Sequence, residues 1–385
     1  MTLADQVPDG WVVKRLSEVA HITAGGDVDP LTGSPVETDF HPHPVYANAI
    51  ERSAIHSYSS VARNPAGAVT ITARGTLGYA VYREKPFTAI GRLLVVWPND
   101  RFDGRFLAQY LNARVSFAVE STGVPQLTGP QAGSYEVMLP TNLPEQQAIA
   151  AALSDADGVV AGLERVIAKK RLIKQGAMQD LLTARRRLPG FSGEWEVKKL
   201  GDLVTSVTGG GTPSRTRSEL WDGPIPWMTV KDFATGAVNT TLESITAEGL
   251  KNSASRLVTA GTLILCTRMA VGKTTIMDVD VAINQDLKAL SFKTGVSVSY
   301  IKRVFELLQN QIEENAGGST VKGISIGDVR GLEFSLPPFD EQQAIAAVLS
   351  DMDAEIQTLE SRLAKARAVK EGMMQNLLTG RVRLV

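Results

Sequence analysis

The chain has 385 residues, of which 43% are apolar and 21% are charged, and this length and composition fit two or three globular domains. Its formal net charge of -1 excludes a strongly basic protein, so any affinity for nucleic acid would have to come from local patches or from partner subunits. The single cysteine, Cys266, excludes an internal disulfide and a four-cysteine zinc site. A polar N-terminus without a long apolar run predicts a cytoplasmic protein with no membrane contact.

The first segment, residues 1–143, alternates short β-branched apolar runs with glycine and proline, which is typical of an α+β domain with one twisted sheet. Ala68–Thr72 and Leu93–Trp97 are predicted strands, and Phe106–Asn112 is a predicted helix. The sequence therefore indicates a domain in which the sheet comes first and a helix lies near the end.

The first of these strands leads into an arginine, Arg74, followed by a glycine that lets the backbone turn closely. An arginine can pair bidentately with guanine or clamp a phosphate. Arg74 and the nearby Thr76 are therefore candidate DNA contacts, and the alternative is an ordinary surface arginine on a hairpin.

The second segment, residues 144–188, begins as a helix, with Asn142 as the N-cap and Pro144 at an early helical position. Its apolar residues then recur at alternating steps of four and three, a heptad pattern. The residues of this pattern are Ile149, Leu153, Ala156, Val160, Leu163 and Ile167. A helix of about 40 residues would span roughly 60 Å.

The third segment, residues 189–338, repeats the plan of the first. Leu263–Cys266 is a predicted strand and Tyr300–Leu308 a predicted helix. Arg268 follows its strand as Arg74 does in the first segment. Arg268 is therefore a second candidate DNA contact, and three further cations are candidate phosphate contacts: Lys273, Arg215 and Arg217.

The fourth segment, residues 339–385, is a near copy of the second. Glu145–Asp157 recurs as Glu341–Asp353, and the match continues to the end of each segment. The second heptad pattern consists of Ile345, Leu349, Met352, Ile356, Leu359 and Leu363. The two apolar stripes can bury each other, which predicts two long helices packed as an antiparallel coiled coil; the alternative is that each helix packs on its own domain.

Motifs that would carry chemistry are incomplete. Gly272-Lys273-Thr274 lacks the earlier glycine of a phosphate-binding loop, because Thr267 stands at that position. Leu336-Pro-Pro-Phe339 cannot work as an amino-methyltransferase tetrapeptide, because leucine accepts no hydrogen bond from the target amine. His41 and His43 have no cysteine nearby and are interpreted as loop residues. We therefore expect no catalytic residue and no metal ligand.

In this arrangement the chain resembles the specificity subunit of type I restriction–modification systems, and the resemblance covers nearly its whole length. It rests on Pro144-Glu-Gln-Gln-Ala-Ile149, on Leu181-Leu-Thr183 and on their second copies. Ile225-Pro-Trp-Met228 followed by Asp232 also resembles a motif of target-recognition domains, whereas the first segment has only Pro44-Val-Tyr46.

The resemblance implies that residues 1–143 and 189–338 are target-recognition domains, each reading one half of a bipartite asymmetric site in double-stranded DNA. The repeated helices would separate the domains and dock two methyltransferase (M) subunits, and motor–nuclease (R) subunits would join for restriction. S-adenosylmethionine, ATP and Mg²⁺ are implied for those partners, and no cofactor for this chain. The alternative is a protein-interaction scaffold that never touches DNA.

The candidate docking residues are those that recur at the two ends of each helix. They are Glu145, Gln146, Gln147, Leu181, Leu182, Glu341, Gln342, Gln343, Leu377 and Leu378.

Overall fold

The computed structural model describes residues 7–27, 29, 31–49, 54–117, 126–317 and 323–384. The chain forms two compact units. Unit 1 consists of residues 1–164 and 361–385, and unit 2 consists of residues 165–360. Each unit therefore contains one sheet-rich domain, part of the helix that follows it and part of the other long helix.

The sheet-rich part of unit 1 contains ten strands and three short helices among the described residues. The strands are β1 (Trp11–Arg15), β2 (Ala20–Ala24), β3 (Gly33–Ser34), β4 (His43–Tyr46), β5 (Ile55–Ser59), β6 (Val69–Ile71), β7 (Ala80–Tyr82), β8 (Thr88–Ala89), β9 (Leu94–Pro98) and β10 (Glu136–Pro140). The helices are α1 (Leu16–Val19), α2 (Gly104–Arg114) and α3 (Gly129–Ser134). The long helix α4 (Leu143–Leu182) follows.

Unit 2 repeats this order. Its strands are β11 (Glu196–Lys199), β12 (Val204–Gly209), β13 (Trp221–Met228), β14 (Glu243–Ile245), β15 (Arg256–Val258), β16 (Leu263–Cys266), β17 (Thr274–Ile276), β18 (Val281–Ile283), β19 (Leu287–Phe292) and β20 (Glu333–Leu336). Its helices are α5 (Leu200–Leu203), α6 (Ala247–Lys251), α7 (Val298–Glu314) and α8 (Ile326–Arg330), and the long helix α9 (Phe339–Leu377) follows them.

Each unit builds two four-stranded sheets and one two-stranded ribbon, where the sequence had suggested a single sheet. The orders are β2-β9-β6-β7 and β3-β5-β4-β8 in unit 1, and β12-β19-β16-β17 and β14-β13-β18-β15 in unit 2. Most pairs are antiparallel, but β4 pairs with β8, and β13 with β18, in parallel. The sheets are therefore mixed, and the expected α+β class is confirmed.

The predicted strands and helices within the domains are found close to their expected positions. β16 has the predicted bounds, and β6 and β9 lie within one residue of theirs. Helices α2 and α7 begin two residues earlier than predicted, because Asp103 and Ser297 cap them by accepting a hydrogen bond from the backbone amide three residues on. Both helices also extend further at their C-terminal ends, to Arg114 and Glu314.

Within each unit, α4 and α9 run antiparallel. Unit 1 pairs Glu145 with Arg383, Asp157 with Lys370 and Glu164 with Arg367. Unit 2 contains the same three pairs with the helices exchanged: Glu341 with Arg187, Asp353 with Lys174 and Glu360 with Arg171. None of the predicted heptad residues is exposed. The expected antiparallel packing is thus present in both units.

The long helices complete the core of each domain. In unit 1, Ile149 and Leu153 of α4 and Leu377 of α9 join the cluster that contains Phe106 and Leu107 of α2. In unit 2, the cluster around α7 includes the corresponding residues Ile345, Leu349 and Leu181. The ends of the long helices are therefore packed into the cores of the domains.

The described residues contain neither a membrane-spanning helix nor a cluster of metal-ligating side chains. No helix in this part of the chain is long and apolar enough to cross a membrane. Likewise, no group of three or more histidine, cysteine or acidic side chains there is placed to hold a metal ion.

Candidate nucleic-acid interface

The hairpin between β6 and β7 presents the first candidate arginine. Its base is closed by hydrogen bonds from the Thr72 amide to the Tyr79 carbonyl (3.0 Å) and from the Gly78 amide to the Thr72 carbonyl (2.8 Å). Gly78 has a φ of +85°, and a Cβ at this position would lie 2.5 Å from the Phe117 ring. The glycine is therefore required both for the turn and for the close packing beneath it.

The tip of this hairpin is exposed. Arg74 forms a backbone bridge with Gln126, and its Nη2 donates to the Gln126 Oε1 at 3.2 Å. Thr76, two residues further on, is also exposed. A guanidinium held by a neutral amide can exchange this partner for a phosphate or a base without breaking an ion pair.

The hairpin between β16 and β17 has the same construction in unit 2. The Cys266 amide donates to the Lys273 carbonyl (2.8 Å), and the Gly272 amide donates to the Cys266 carbonyl (2.9 Å). The carbonyl of the residue before each arginine accepts an equivalent hydrogen bond. The Leu127 amide donates to the Ala73 carbonyl, and the Ile324 amide donates to the Thr267 carbonyl. The structure thus places Arg268 at the position that corresponds to Arg74.

Arg268 lies in a charged setting. Its side chain is 61% exposed and lies 3.9 Å from the Asp286 carboxylate, a separation at which the pair is weak in water. Lys288 lies on the neighbouring strand β19, where burial lowers the pKa of its ammonium, Asp286 raises it and Arg268 lowers it. The Lys288 ammonium itself donates to the backbone carbonyls of Gln285 (2.7 Å) and Leu287 (3.2 Å).

The three remaining candidate cations differ in their surroundings. Lys273 is exposed and forms no ion pair within the described residues. Arg215 lies over the Trp221 ring at 3.8 Å and forms a bidentate pair with Glu243, whose pKa this contact lowers. Arg217 pairs with Glu219 at 2.7 Å. Lys273 is therefore free to meet a phosphate, whereas Arg215 and Arg217 would first have to exchange carboxylate partners.

Sequence reasoning missed two cations beside the hairpins. Lys288 of β19 pairs with Leu265 of β16. The corresponding pair in unit 1 is the buried Leu94 of β9 with Ile71 of β6, so Lys288 stands where unit 1 has an apolar residue. Arg92 is exposed and has a φ of +68°. Its neighbour Gly91 is joined to the first hairpin through Asn48, which donates to the Gly91 carbonyl (2.6 Å) and accepts from the Ala73 amide (2.7 Å). No local pattern signals either cation, because strand pairing brings them to the hairpins.

The motif Ile225–Met228 with Asp232 has a structural role. Asp232 is 3% exposed, and its carboxylate accepts from the Thr229 amide (2.7 Å) and the Leu242 amide (2.7 Å). Met228 pairs in parallel with Ile283, as Tyr46 pairs with Ala89 in unit 1. Tyr46 is thus the counterpart of Met228, and these residues organise the second sheet of each domain.

Most of the candidate docking residues are buried inside the units. Glu145, Gln146, Glu341 and Gln342 are at most 1% exposed, and Leu181, Leu182, Leu377 and Leu378 at most 5%. Glu341 accepts two hydrogen bonds from Arg187 and one from the Trp195 indole (3.1 Å). Only Gln147 and Gln343 among these ten residues have exposed side chains.

A family model described as the type I restriction modification DNA specificity domain matches the chain twice, over residues 8–170 and 192–367. The type I restriction enzyme MjaIX specificity subunit of Methanocaldococcus jannaschii is 32% identical over 165 residues, which are 42% of this chain and 38% of that protein. The EcoR124I/EcoR124II specificity subunit of Escherichia coli is 30% identical over 168 residues, 42% of this chain and 41% of that protein. The aligned part thus spans about two fifths of each of these relatives.

A longer alignment joins the chain to the putative MjaX specificity subunit of M. jannaschii, with 25% identity over 79% of this chain and 75% of that protein. Among solved structures, the type I restriction–modification S subunit from M. genitalium has a TM-score of 0.67 at 14% identity, covering 98% of both chains. A chain from a structure on assembly and conformational transition of the type I R-M system has a TM-score of 0.57 at 17% identity, covering 98% of this chain and 99% of that one. At these identities the likeness shows a shared fold.

Proposed function

Since the chain belongs to the type I restriction–modification DNA specificity family, we propose that it is the subunit that reads the DNA sequence in such a complex. Each unit reads one half of a bipartite asymmetric site in double-stranded DNA. The chain catalyses no step itself. S-adenosylmethionine, ATP and Mg²⁺ belong to partner subunits, which methylate or cleave the DNA.

The observation that carries this proposal is the pair of equivalent hairpins. Arg74 and Arg268 are presented by the same backbone hydrogen bonds on two units of the same construction. The side chains around them differ, since Gly75 and Thr76 in the first hairpin correspond to Met269 and Ala270 in the second. Two identical supports with different contact residues suit a protein that reads two different short sequences.

The net charge of -1 fits a reader that works inside a larger complex. A DNA duplex carries one negative charge per about 1.7 Å of its axis, and sequence-independent affinity depends on neutralising these charges. We therefore assign much of the phosphate neutralisation to the methyltransferase subunits, while this chain supplies the contacts that select the sequence.

The same exposed surface occurs once in each unit at the start of a long helix. Gln147 and Gln343 project there, beside buried glutamate and glutamine residues that fix the helix on its domain. Two equivalent surfaces suit two copies of one partner, so we propose that these helix starts help to dock two methyltransferase subunits. The antiparallel helices act as a spacer between the half-sites, and the motor–nuclease subunits join the methyltransferase core.

Exchange of one domain tests the proposal. Residues 1–143 are replaced by the first domain of another member of the family, and the methylated sites are mapped in cells that also produce the methyltransferase subunits. One half of the site should change while the other half and the gap remain. A simultaneous change of both halves would contradict separate reading.

A complex that shows no salt-dependent binding to duplex DNA would instead favour a protein-interaction scaffold.

A further inference from the structure

The tip of the second hairpin carries an exposed methionine in an unfavourable backbone conformation. Met269 has a φ of +66°, in the left-handed region that non-glycine residues rarely adopt, and its side chain is 68% exposed. The corresponding residue of the first hairpin is Gly75, with a φ of +72°. The same turn is thus made by glycine in one unit and by methionine in the other.

The fold around Met269 sets this conformation without using its side chain. The Ala270 amide donates to the Arg268 carbonyl (2.8 Å), and the Gln309 side chain donates to the Val271 carbonyl (2.8 Å). A Cβ at Gly272 would lie 2.8 Å from Ile312, so the hairpin is also pressed closely onto α7. Stability alone would favour glycine at position 269, and the methionine therefore requires another explanation.

The neighbours of Met269 indicate what it meets. Arg268 is adjacent, and its side chain is 61% exposed. An apolar side chain next to an exposed arginine suits a DNA groove, where the arginine meets a phosphate or guanine and the apolar group meets a base edge. In the major groove the 5-methyl group of thymine is the apolar feature of a base, and the flexible thioether of methionine can adapt to it.

On the basis of the proposed function, we propose that Met269 contacts the methyl group of a thymine and so determines one base pair of the half-site read by unit 2. Arg268 supplies the charged contact beside it. The first hairpin, with Gly75 at the same position, makes no such contact.

The test compares Met269→Gly and Met269→Leu with the wild-type full-length chain, each produced with its methyltransferase subunits. Methylated sites are mapped in the host DNA, and binding of the complexes is measured on duplexes with single base-pair changes in the mapped site. Exchange of residues 189–338 identifies the half-site that belongs to unit 2. Met269→Gly should lose about tenfold discrimination at one thymine–adenine pair of that half-site.

Two controls separate base reading from folding. Met269→Leu keeps an apolar side chain and should retain the preference for thymine. Met269→Gly relieves the backbone strain, so its unfolding temperature should equal or exceed that of the wild type. The other half-site and the gap should stay unchanged in both variants.

An unchanged site with Met269→Gly would overturn the inference, as would a half-site without thymine or an equal loss of binding on all sequences. These results leave the proposed function intact. A wild-type complex that methylates no split site would overturn the proposed function, and the role of Met269 with it.

Discussion

Gln146 and Gln147 are neighbours in the repeated helix start, but the structure gives them opposite roles. The Gln146 side chain is fully buried and accepts from the Asp103 amide at 2.7 Å. Its amide group donates to the Pro140 carbonyl (2.8 Å) and the Arg101 carbonyl (3.1 Å). It therefore joins the start of α4 to the end of β10 and to the N-cap of α2, whereas Gln147 is exposed.

Replacement of Gln146 by leucine keeps the approximate volume and removes all three hydrogen bonds. A typical intramolecular hydrogen bond contributes about 0.5–1.5 kcal/mol, and a buried group left without a partner costs about 1–3 kcal/mol. The hydrogen bond to the Pro140 carbonyl is buried, so this carbonyl would be left without a partner. The Asp103 amide and the Arg101 carbonyl are only partly buried and can regain hydrogen bonds to water. We therefore expect Gln146→Leu to lower the free energy of unfolding by about 2–4 kcal/mol.

The assay is urea denaturation of the full chain followed by circular dichroism, with Gln147→Leu as the matched control. An exposed substitution should change the free energy of unfolding by less than about 0.5 kcal/mol. Gln342→Leu should repeat the effect in unit 2, because Gln342 makes the same three contacts with Ser297, Gly295 and Pro337. Equal effects of Gln146→Leu and Gln147→Leu would refute the reasoning. If the exposed glutamine helps to dock a methyltransferase subunit, Gln147→Leu should weaken that association without loss of stability.

Three further predictions concern the DNA contacts, the response to acid and the spacer. Arg74→Ala and Arg268→Ala should each weaken binding by about 1–3 kcal/mol on the specific site if they pair with a base; a uniform loss with a shallower salt slope would indicate phosphate contact instead. In unit 2, burial raises the pKa of Glu306 but neighbouring cations lower it overall below its ordinary 4.5, so its stabilising contribution is present at neutral pH and is lost as the pH falls through the folded value. Glu306→Gln should therefore reduce the acid sensitivity of unfolding below about pH 5, and an unchanged pH profile would contradict this. Insertion of four residues near Lys170 and four near Ala366 adds about 6 Å to each helix and should lengthen the gap between the half-sites by about two base pairs; an unchanged gap in an active complex would refute the spacer role.

The long helices could be predicted from the sequence because their signals are local. Heptad spacing and capping residues lie within a few positions of each other, and the repeat shows that both apolar stripes have a partner. The two sheets of each domain could not be predicted in this way. Strands of two to eight residues show where a strand forms, but not that β4 pairs in parallel with β8, more than 40 positions away.

The candidate interface likewise contains residues that a local sequence pattern predicts and residues that only strand pairing brings together. Arg74 and Arg268 could be proposed because a strand, an arginine and a turn follow one another in the sequence. Lys288 and Arg92 lie beside these hairpins only because β19 pairs with β16, and β9 with β6. The pairing of Arg215 with Glu243 likewise joins residues 28 positions apart. Contacts of this kind depend on the folded sheet and leave no local pattern.

The difference between the repeated helices and the divergent domains follows from the number of groups that each residue satisfies. Glu145 is buried against Arg383, and the next residue, Gln146, holds three backbone groups of the preceding domain. A change at either position would leave several buried groups without a partner, and no single second substitution could restore them all.

The hairpin tips carry no such constraint. Thr76 and Met269 are exposed, and the backbone hydrogen bonds that close the base of each hairpin are made by other residues. Within one chain, Gly75 and Met269 therefore occupy the same turn, and Leu94 and Lys288 the same strand position, while the glutamate and glutamine of the helix starts are identical in both copies. A duplicated scaffold of this kind can change what each half contacts without changing how either half folds, as the proposed reading of two different half-sites requires.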